Sequence, residues 1–253
     1  MIDWLSNVEG KLFIVLVSSL TSIVVFILGW IIKILYERRS LTYKLKKEYE
    51  FEQKKALKID IATHKVSLLN IVEDFNYRLW NFKENINHDW QKVTKQKWEE
   101  NKKYYTRSFV YRFLVMIHYV LRIESDAISI DTTIADKDDI LFLKFIKSIK
   151  DFFCESQLLK SLDYELNNNE NHFFKNDLIG YSKWVIEDNK VMDYDEFTLK
   201  TQYKYIELKK VISYFSNIEN HKNDRTLNVL KCFHIFIIVF LNKFGHDYQI
   251  TDK

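Results

Sequence analysis

The stretch LFIVLVSSLTSIVVFILGWII, residues 12–32, contains 21 residues and no charge. As an α-helix it would be about 31 Å long, which matches the apolar core of a lipid bilayer. Serine and threonine hydroxyls can bond back to the carbonyl groups of their own helix, so the polar cluster at residues 18–22 does not exclude a position in lipid. We therefore predict a transmembrane helix over residues 12–35, preceded by a short extracytoplasmic N-terminus of residues 1–11.

The charges that flank this run predict its orientation. One lysine and two acidic residues precede it, whereas a group of cations follows it: Lys33, Arg38, Arg39, Lys44, Lys46 and Lys47. Because cations are retained on the cytoplasmic side, we expect the N-terminus outside and the long C-terminal part in the cytoplasm. A cleavable signal peptide is the competing interpretation, but no small-residue cleavage site follows the run. The sequence therefore predicts a single-pass protein of the cell inner (plasma) membrane, with the lipid bilayer as a partner.

A second apolar run, residues 229–241, reads VLKCFHIFIIVFL and includes Lys231 and His234. It is shorter than the roughly 20 residues that a membrane span needs. We interpret it as a buried helix of the cytoplasmic domain, and a two-pass topology remains the alternative.

The chain has no proline and only four glycines. Sheets and barrels place these residues at tight turns and bulges, so their shortage disfavours a β-rich or doubly wound fold. The shortage also excludes P-loops, dinucleotide-binding fingerprints and kinase glycine loops, all of which need closely spaced glycines. The predicted fold class is all-α, with a single-pass N-terminal transmembrane helix, a helical stalk and a cytoplasmic bundle of about six helices.

Residues 36–58 are dominated by charge and are predicted to form the stalk. Apolar residues recur at helical spacings along it and just beyond it: Leu41, Leu45, Tyr49, Ala56, Ile59 and Val66. Such a narrow stripe is typical of a helix that meets one neighbour, and it favours a homo-oligomer. Glu48 and Glu52 interrupt the stripe, so a regular coiled coil is not supported. The cytoplasmic helical domain is predicted over residues 59–253.

Within that domain, apolar periodicity and capping residues predict the helices. Asp136 or Asp138 and the Asp193–Glu196 segment are suited to cap helix N-termini, and Gly245 is suited to a left-handed helix end. The predicted helices are residues 106–123, 137–166, 172–187, 193–217 and 225–244, with a loop over residues 124–139.

Residues 83–107 combine lysines with aromatic residues: Trp90, Trp98, Tyr104 and Tyr105. This combination could form a surface for single-stranded nucleic acid. Acidic residues are mixed among the lysines, and the net charge of the chain is only +3. We therefore favour an exposed helix or connection whose rings contact the core, and we do not expect nucleic acid as a partner.

Several classes of site have no motif in this sequence. Cys154 and Cys232 both lie in apolar helical patterns and are interpreted as buried, reduced thiols. HExxH, paired CxxC and EF-hand patterns are absent, as is a GxSxG nucleophile motif. We expect no metal and no cofactor.

The segment from Arg112 to His118 (RFLVMIH) resembles the R-x4-6-H motif of HEPN ribonucleases, which are helical and frequent in bacterial defence and toxin systems. The resemblance implies RNA cleavage by the Arg and His of two subunits. Six residues on a straight helix correspond to a rotation of about 240°, which places the two side chains on different faces. A membrane-tethered ribonuclease that uses Arg112 and His118 is therefore an alternative function.

A second grouping lies in the same predicted helix. Four polar residues follow one stripe of its otherwise apolar surface: Arg107, Tyr111, His118 and Arg122. Buried charges need partners, which acids of residues 124–139 or Asp224 could supply in a structural network. The alternative is a pocket for an anionic ligand such as a nucleotide, since Arg binds phosphate with two donors.

The order of these parts resembles that of membrane-anchored, all-helical proteins of bacterial abortive-infection and phage-defence systems. The resemblance covers the whole chain by layout and includes no diagnostic motif. It implies a self-associating, non-enzymatic effector that acts on the membrane, with a protein partner encoded nearby. The hydroxyl cluster at residues 18–22 could contribute contacts between helices in such an assembly. A ribonuclease and a sensor of an anionic ligand are the alternatives.

Overall fold

The computed structural model describes residues 2–102, 104–128, 135–155, 172–221 and 224–245. The chain divides into two compact units, Met1–Lys54 and Lys55–Lys253. The structure is mostly helical, which confirms the predicted class, and the strands that it describes belong to one two-stranded hairpin.

The first unit is the N-terminal part of α1, a helix that spans Ile2–Asn85. Its large apolar side chains are exposed from Ile14 to Leu35, and Phe26 is 75% exposed. This part of α1 is long and apolar enough to cross a membrane, and none of its most apolar 18-residue window is buried. Hydroxyls of Ser19, Thr21 and Ser22 donate to carbonyl oxygens three or four residues earlier at 2.8–2.9 Å, as the sequence predicts.

The second unit contains the rest of α1 and the remaining elements. These are a 3₁₀ turn Ile86–His88, α2 Lys95–Glu99, α3 Tyr104–Ile128, α4 Lys137–Cys154, α5 Lys175–Ser182, a 3₁₀ turn Lys183–Val185, β1 Ile186–Glu187, β2 Lys190–Val191, α6 Tyr194–Thr201, α7 Lys209–Ser216 and α8 Arg225–Phe244.

Phenylalanine rings from four helices form the centre of this unit. Phe75 of α1 lies 5.8 Å from Phe109 of α3 and 6.3 Å from Phe215 of α7, measured between ring centroids. A further contact of 6.1 Å joins Phe75 to Phe233 of α8. Edge-on pairs at such distances add to the stability that burial of the rings provides. The central helix predicted at residues 106–123 is confirmed, because α3 contributes to this core along most of its length.

α8 is the second helix that is long and apolar enough to cross a membrane, but 44% of its apolar window is buried within the protein. Phe233, Ile237 and Phe240 are fully buried in the core. Phe240 lies 5.9 Å from Phe142 of α4, so α8 packs against α4 as well as α1. These contacts are typical of a core helix of a folded domain.

Two predicted helix starts are confirmed. α4 begins after Asp136, whose backbone N–H donates to the Asp139 carboxylate at 3.4 Å. α6 begins after Asp193, which accepts from the Glu196 N–H at 2.8 Å while the Glu196 carboxylate accepts from the Asp193 N–H at 3.0 Å. This reciprocal pair satisfies backbone donors that the first helical turn leaves free.

Several predicted helix lengths are wrong. The helix predicted over 193–217 stops at Thr201 and restarts at Lys209, and the Thr201 carbonyl at this break accepts from the Trp98 indole N–H at 2.9 Å. The helix predicted over 172–187 covers only Lys175–Ser182 and is followed by the hairpin.

The hairpin turn is built without glycine. Asp188 and Asn189 have φ values of 48° and 61°, a left-handed conformation that Asp and Asn tolerate better than other side chains. The left-handed end predicted at Gly245 is also wrong, since its φ is −76°. The predicted loop at 124–139 is partly helical, because α3 extends to Ile128 and α4 begins at Lys137; residues 129–134 lie outside the described part of the chain. The helix predicted over 137–166 is too long, because α4 ends at Cys154 and Glu155 is extended; residues 156–166 lie outside the described part.

Candidate functional site

The polar stripe of α3 begins with Arg107, which is 1% exposed. Its guanidinium donates to the Asn101 Oδ1 at 2.9 Å, to the Thr198 carbonyl at 3.4 Å and to the Trp98 carbonyl. It also lies over the Trp98 ring, 4.2 Å from the centroid. Arg107 therefore links α3 to α6 and to the segment around α2.

All of these acceptors are neutral, and Arg107 makes no ion pair with a carboxylate in the part of the chain that the structure describes. Burial lowers the pKa of Arg107, since the charged form loses its hydration there. The acidic partners that the sequence predicts for this position are thus replaced by carbonyl and amide oxygens and by an aromatic face.

Tyr111 lies one turn further along α3. Its hydroxyl donates to the Met192 carbonyl at 2.8 Å, and its ring lies 5.6 Å from Tyr194 and 5.4 Å from Phe197. Burial raises the pKa of Tyr111 to about 12, so the hydroxyl stays protonated at neutral pH and serves as a donor. Tyr111 and Arg107 together hold α6 against α3.

The other half of the stripe, His118 and Arg122, has different surroundings. Arg122 is exposed and its Nε lies 3.4 Å from the Asp126 carboxylate, while His64 of α1 lies 3.6 Å from the same carboxylate. Burial lowers the pKa of His118, with smaller contributions from His64 and Arg122. Asp126 is one of the acids that the sequence offers as partners, whereas Asp224 caps α8 by accepting from the Leu227 N–H at 2.7 Å.

The structure therefore places the four stripe residues on one helix but in two groups. Arg107 and Tyr111 contact α6 and the segment that precedes it, and His118 and Arg122 lie close to His64 of α1. Because different elements surround the two groups, the contacts of the stripe do not bring Arg107 and Arg122 into one site.

Arg112 of the ribonuclease alternative is half-buried on α3. Its guanidinium donates to the Ser108 carbonyl of its own helix at 3.4 Å, and its Nε is buried without a hydrogen-bond partner. His118 has its ring beside Tyr119, at 5.4 Å. Within one chain, the continuous helix keeps Arg112 and His118 six residues apart on different faces.

Two clusters were missed by sequence reasoning because they combine distant segments. His234 of α8 is 2.9 Å from the Asn76 Oδ1 and lies edge-on to Trp80 at 4.7 Å, and burial lowers its pKa. The second cluster is a cleft that joins Arg78 of α1 to Trp90, Tyr104 and Tyr105. The signal for it was the aromatic and basic pattern of residues 83–107, but nothing in that pattern points to Arg78.

Among the residues that the structure describes, no group of three or more His, Cys, Asp or Glu side chains is arranged to hold a metal ion. Cys154 and Cys232 are unpaired and half-buried, and burial raises the pKa of Cys154 to about 11. A thiol with such a pKa is a poor nucleophile at neutral pH.

No protein-family model matches the chain, and no significant match was found to a curated protein or to a solved structure.

Proposed function

We propose that this protein is a single-pass membrane protein that self-associates through α1 and acts as an effector on the membrane, with its helical domain in the cytoplasm. The observation that carries the proposal is the exposed apolar surface of α1. Large aliphatic and aromatic side chains face outward all around residues 14–35, with no described side chain of their own unit to cover them.

Exposure of so many apolar side chains to water is unfavourable, because burial of one such side chain is worth about 1.5–3 kcal/mol. A soluble helix has a polar face that compensates, but residues 14–32 carry no charge on any face. Lipid is the environment that suits a helix that is apolar all round. Cations at Lys33, Arg38 and Arg39 favour a cytoplasmic position for the C-terminal end of the span.

Self-association is supported by the stalk. Leu41, Leu45 and Tyr49 are exposed and follow one another at intervals of four residues, which places them on one face of α1. Two copies anchored in one membrane are parallel, so equal positions of two stalks would meet along this face. The hydroxyls at residues 19–22 donate within their own helix, and their small size rather than hydrogen bonding would permit close approach in lipid.

Membrane integration and topology can be tested with the full chain. We expect the protein to stay with the membrane fraction after carbonate extraction. A Ser6→Cys variant should react with an impermeant maleimide in spheroplasts, and a Ser40→Cys variant should react only after lysis. The unmodified chain is the control for background labelling by its native thiols. Release by carbonate, or labelling of Ser40→Cys in intact spheroplasts, would contradict the proposal.

The stalk interface can be tested by cross-linking in the membrane. In a parallel pair, Leu45→Cys places two thiols at the interface, where a disulfide needs a Cα separation of about 4.4–6.8 Å. Lys47→Cys is the matched control, because it lies about 200° around the helix. We expect oxidised dimer from Leu45→Cys and not from Lys47→Cys. No dimer from Leu45→Cys, or equal yields from both variants, would exclude this face as the contact.

The effector part of the proposal follows the layout that the chain shares with membrane-anchored defence proteins, and it has its own test. Cells that express the full chain at high level, and are then exposed to phage, should lose membrane potential as reported by a potential-sensitive dye. A Leu41→Ser/Leu45→Ser/Tyr49→Ser variant should insert normally without this effect. An unchanged potential with the full chain would contradict an action on the membrane.

The ribonuclease alternative has weaker support. Arg112 is engaged with its own helix, and lowering of the His118 pKa reduces the protonated form that a general acid would need at neutral pH. An Arg112→Ala/His118→Ala variant that keeps full activity in cells would exclude it.

A further inference from the structure

A cleft on the second unit joins α1 to the segment that precedes α3. It is lined by Arg78, Asn81, Trp90, Lys102, Tyr104 and Tyr105, and it holds about 730 Å³ of empty space including its open mouth. Its walls combine cationic side chains with three aromatic rings, whereas the stripe on α3 faces other elements. The cleft is therefore a separate place at which a ligand could bind.

Arg78 supplies the main positive charge of the cleft. Its guanidinium lies 5.2 Å from the centroid of Tyr104 and 5.0 Å from that of Tyr105, and its Nη2 donates to the Tyr104 hydroxyl at 3.2 Å. In the described part of the chain it makes no ion pair with a carboxylate, and its Nε is buried without a hydrogen-bond partner. A half-buried guanidinium that no described carboxylate neutralises favours an anion.

Two further features near Arg78 also favour a negatively charged ligand. Tyr105 is only 8% exposed, and its hydroxyl has no hydrogen-bond partner. Burial raises the pKa of Tyr105, so this hydroxyl keeps its proton and can donate. α3 begins at Tyr104, and the first N–H groups of a helix lack partners within the helix and attract anions.

The aromatic rings of the cleft are open to a flat partner. Trp90 is 45% exposed and Tyr104 is 54% exposed, so parts of both rings can be reached from solvent. Trp90 stacks on His88 at 5.3 Å and meets Tyr105 edge-on at 5.9 Å, so its position is fixed on two sides. Base–aromatic stacking of this kind is a common way to hold a nucleobase.

We propose that this cleft binds a nucleotide. Arg78, the Tyr105 hydroxyl and the N-terminus of α3 would hold the phosphate, and Trp90 and Tyr104 would stack with the base. The cleft has a limited extent, and Lys102 at its rim is paired with Glu100 at 2.8 Å. This pairing reduces the positive charge that a nucleic-acid strand would meet beside the cleft, which favours a mononucleotide over RNA or single-stranded DNA.

The test is equilibrium binding to the purified full chain in detergent micelles, measured by calorimetry. The probes are ATP, GTP, adenosine, inorganic tripolyphosphate and an oligouridylate of eight bases. We expect at least one nucleotide to bind below about 1 mM, and adenosine and tripolyphosphate to bind at least about tenfold more weakly, since each lacks one of the two groups recognised.

Three variants locate the site. Arg78→Gln should weaken nucleotide binding by about tenfold or more, and Trp90→Ala by about fivefold or more. Tyr105→Phe removes a single hydroxyl, preserves the ring, and should also weaken binding. Arg39→Gln removes the same charge from the stalk part of α1 and should leave binding unchanged. Thermal unfolding of each variant shows whether the fold is kept.

Any of several results would overturn the proposal. The first is that no nucleotide binds below about 1 mM. The second is that tripolyphosphate binds as well as the nucleotide, which would indicate a simple anion site, and the third is that the oligouridylate binds more tightly than any mononucleotide. The fourth is that the Tyr105→Phe and Arg78→Gln variants both bind nucleotide normally. The proposal is independent of membrane anchoring, because these measurements use purified protein and the tests of anchoring use cells.

Discussion

α8 and residues 14–32 of α1 are both apolar enough to be candidate membrane spans but differ in what covers them. None of the apolar window of α1 is buried, whereas 44% of that of α8 is buried against other helices. Phe26 of α1 is exposed, and Phe233 of α8 lies 4.7 Å from Phe153 and 6.1 Å from Phe75. Length and hydropathy therefore identify both helices as candidates for a membrane span, and the two differ in how much of the apolar window the protein itself buries.

The largest expected effect concerns this pair of phenylalanines. Phe233→Ala would leave a cavity beside rings from α1 and α4 and should lower the free energy of unfolding by about 3–5 kcal/mol. Phe26→Ala removes an equal ring from an exposed position of α1, so it should leave the unfolding of the second unit unchanged. Denaturant unfolding of the full chain in micelles, followed by near-UV circular dichroism, measures both. Equal destabilisation by the two changes would contradict the contrast between a buried position in α8 and an exposed one in α1.

The next effect tests whether α8 enters lipid. Val24→Lys places a charge near the middle of the predicted span, at a cost of about 2.5–3.5 kcal/mol for insertion, and should reduce the membrane-bound fraction. Ile235→Lys is the matched change on the exposed face of α8. Because α1 would anchor the chain in either topology, Ile235→Lys should leave membrane retention unchanged, and it should leave thermal unfolding unchanged if α8 belongs to the helical domain. A Thr251→Cys variant separates the two topologies: its thiol should react with an impermeant maleimide only after lysis if α8 stays out of lipid, and labelling in intact spheroplasts would indicate a two-pass topology.

A smaller effect compares the two ends of the α3 stripe. Arg107→Met would leave the carbonyls of Trp98 and Thr198 without their donor, and should destabilise the domain by about 1–3 kcal/mol. Arg122→Met removes an exposed ion pair of α3 and should cost less than about 0.5 kcal/mol. Thermal unfolding at neutral pH measures both. If Arg122→Met proved as costly as Arg107→Met, the separation of the stripe into two groups would be wrong.

A helix boundary could be predicted from the sequence when the residues that form it lie next to one another in the chain. The starts of α4 and α6 follow from aspartates that lie next to them in sequence, and both were predicted. The end of α6 was not predicted; its last carbonyl, that of Thr201, is bound by Trp98 from 103 positions away. No sequence pattern around residues 193–217 reports that contact.

The same limit applies to the candidate sites. The spacing of Arg107, Tyr111, His118 and Arg122 predicted a common helix and a common stripe, and both are present. It could not predict that the segment leading into α6 covers one end and His64 of α1 lies near the other. The cleft needed Arg78, which lies 26 positions from Tyr104 in sequence, to meet the aromatic segment.

The smallest expected effect is a change in pH dependence from buried histidines. Burial lowers the pKa of His118 and of His234 in the folded protein. Unfolded histidine titrates near pH 6.5, so below that pH the unfolded chain binds more protons than the folded one. The free energy of unfolding should therefore be highest above about pH 6.5 and should fall as the pH is lowered further. His118→Gln should flatten this decline, because the proton uptake at that position on unfolding is lost. Chemical unfolding at a series of pH values between about 5 and 8 measures how steeply the free energy of unfolding depends on pH. An unchanged slope in His118→Gln would show that His118 titrates alike in the folded and unfolded states.

His234 of α8 is the internal comparison, because its ring contacts Trp80 and Asn76 of α1. His234→Gln should also flatten the slope if α8 is folded in the helical domain. It should leave the slope unchanged if α8 lies in lipid.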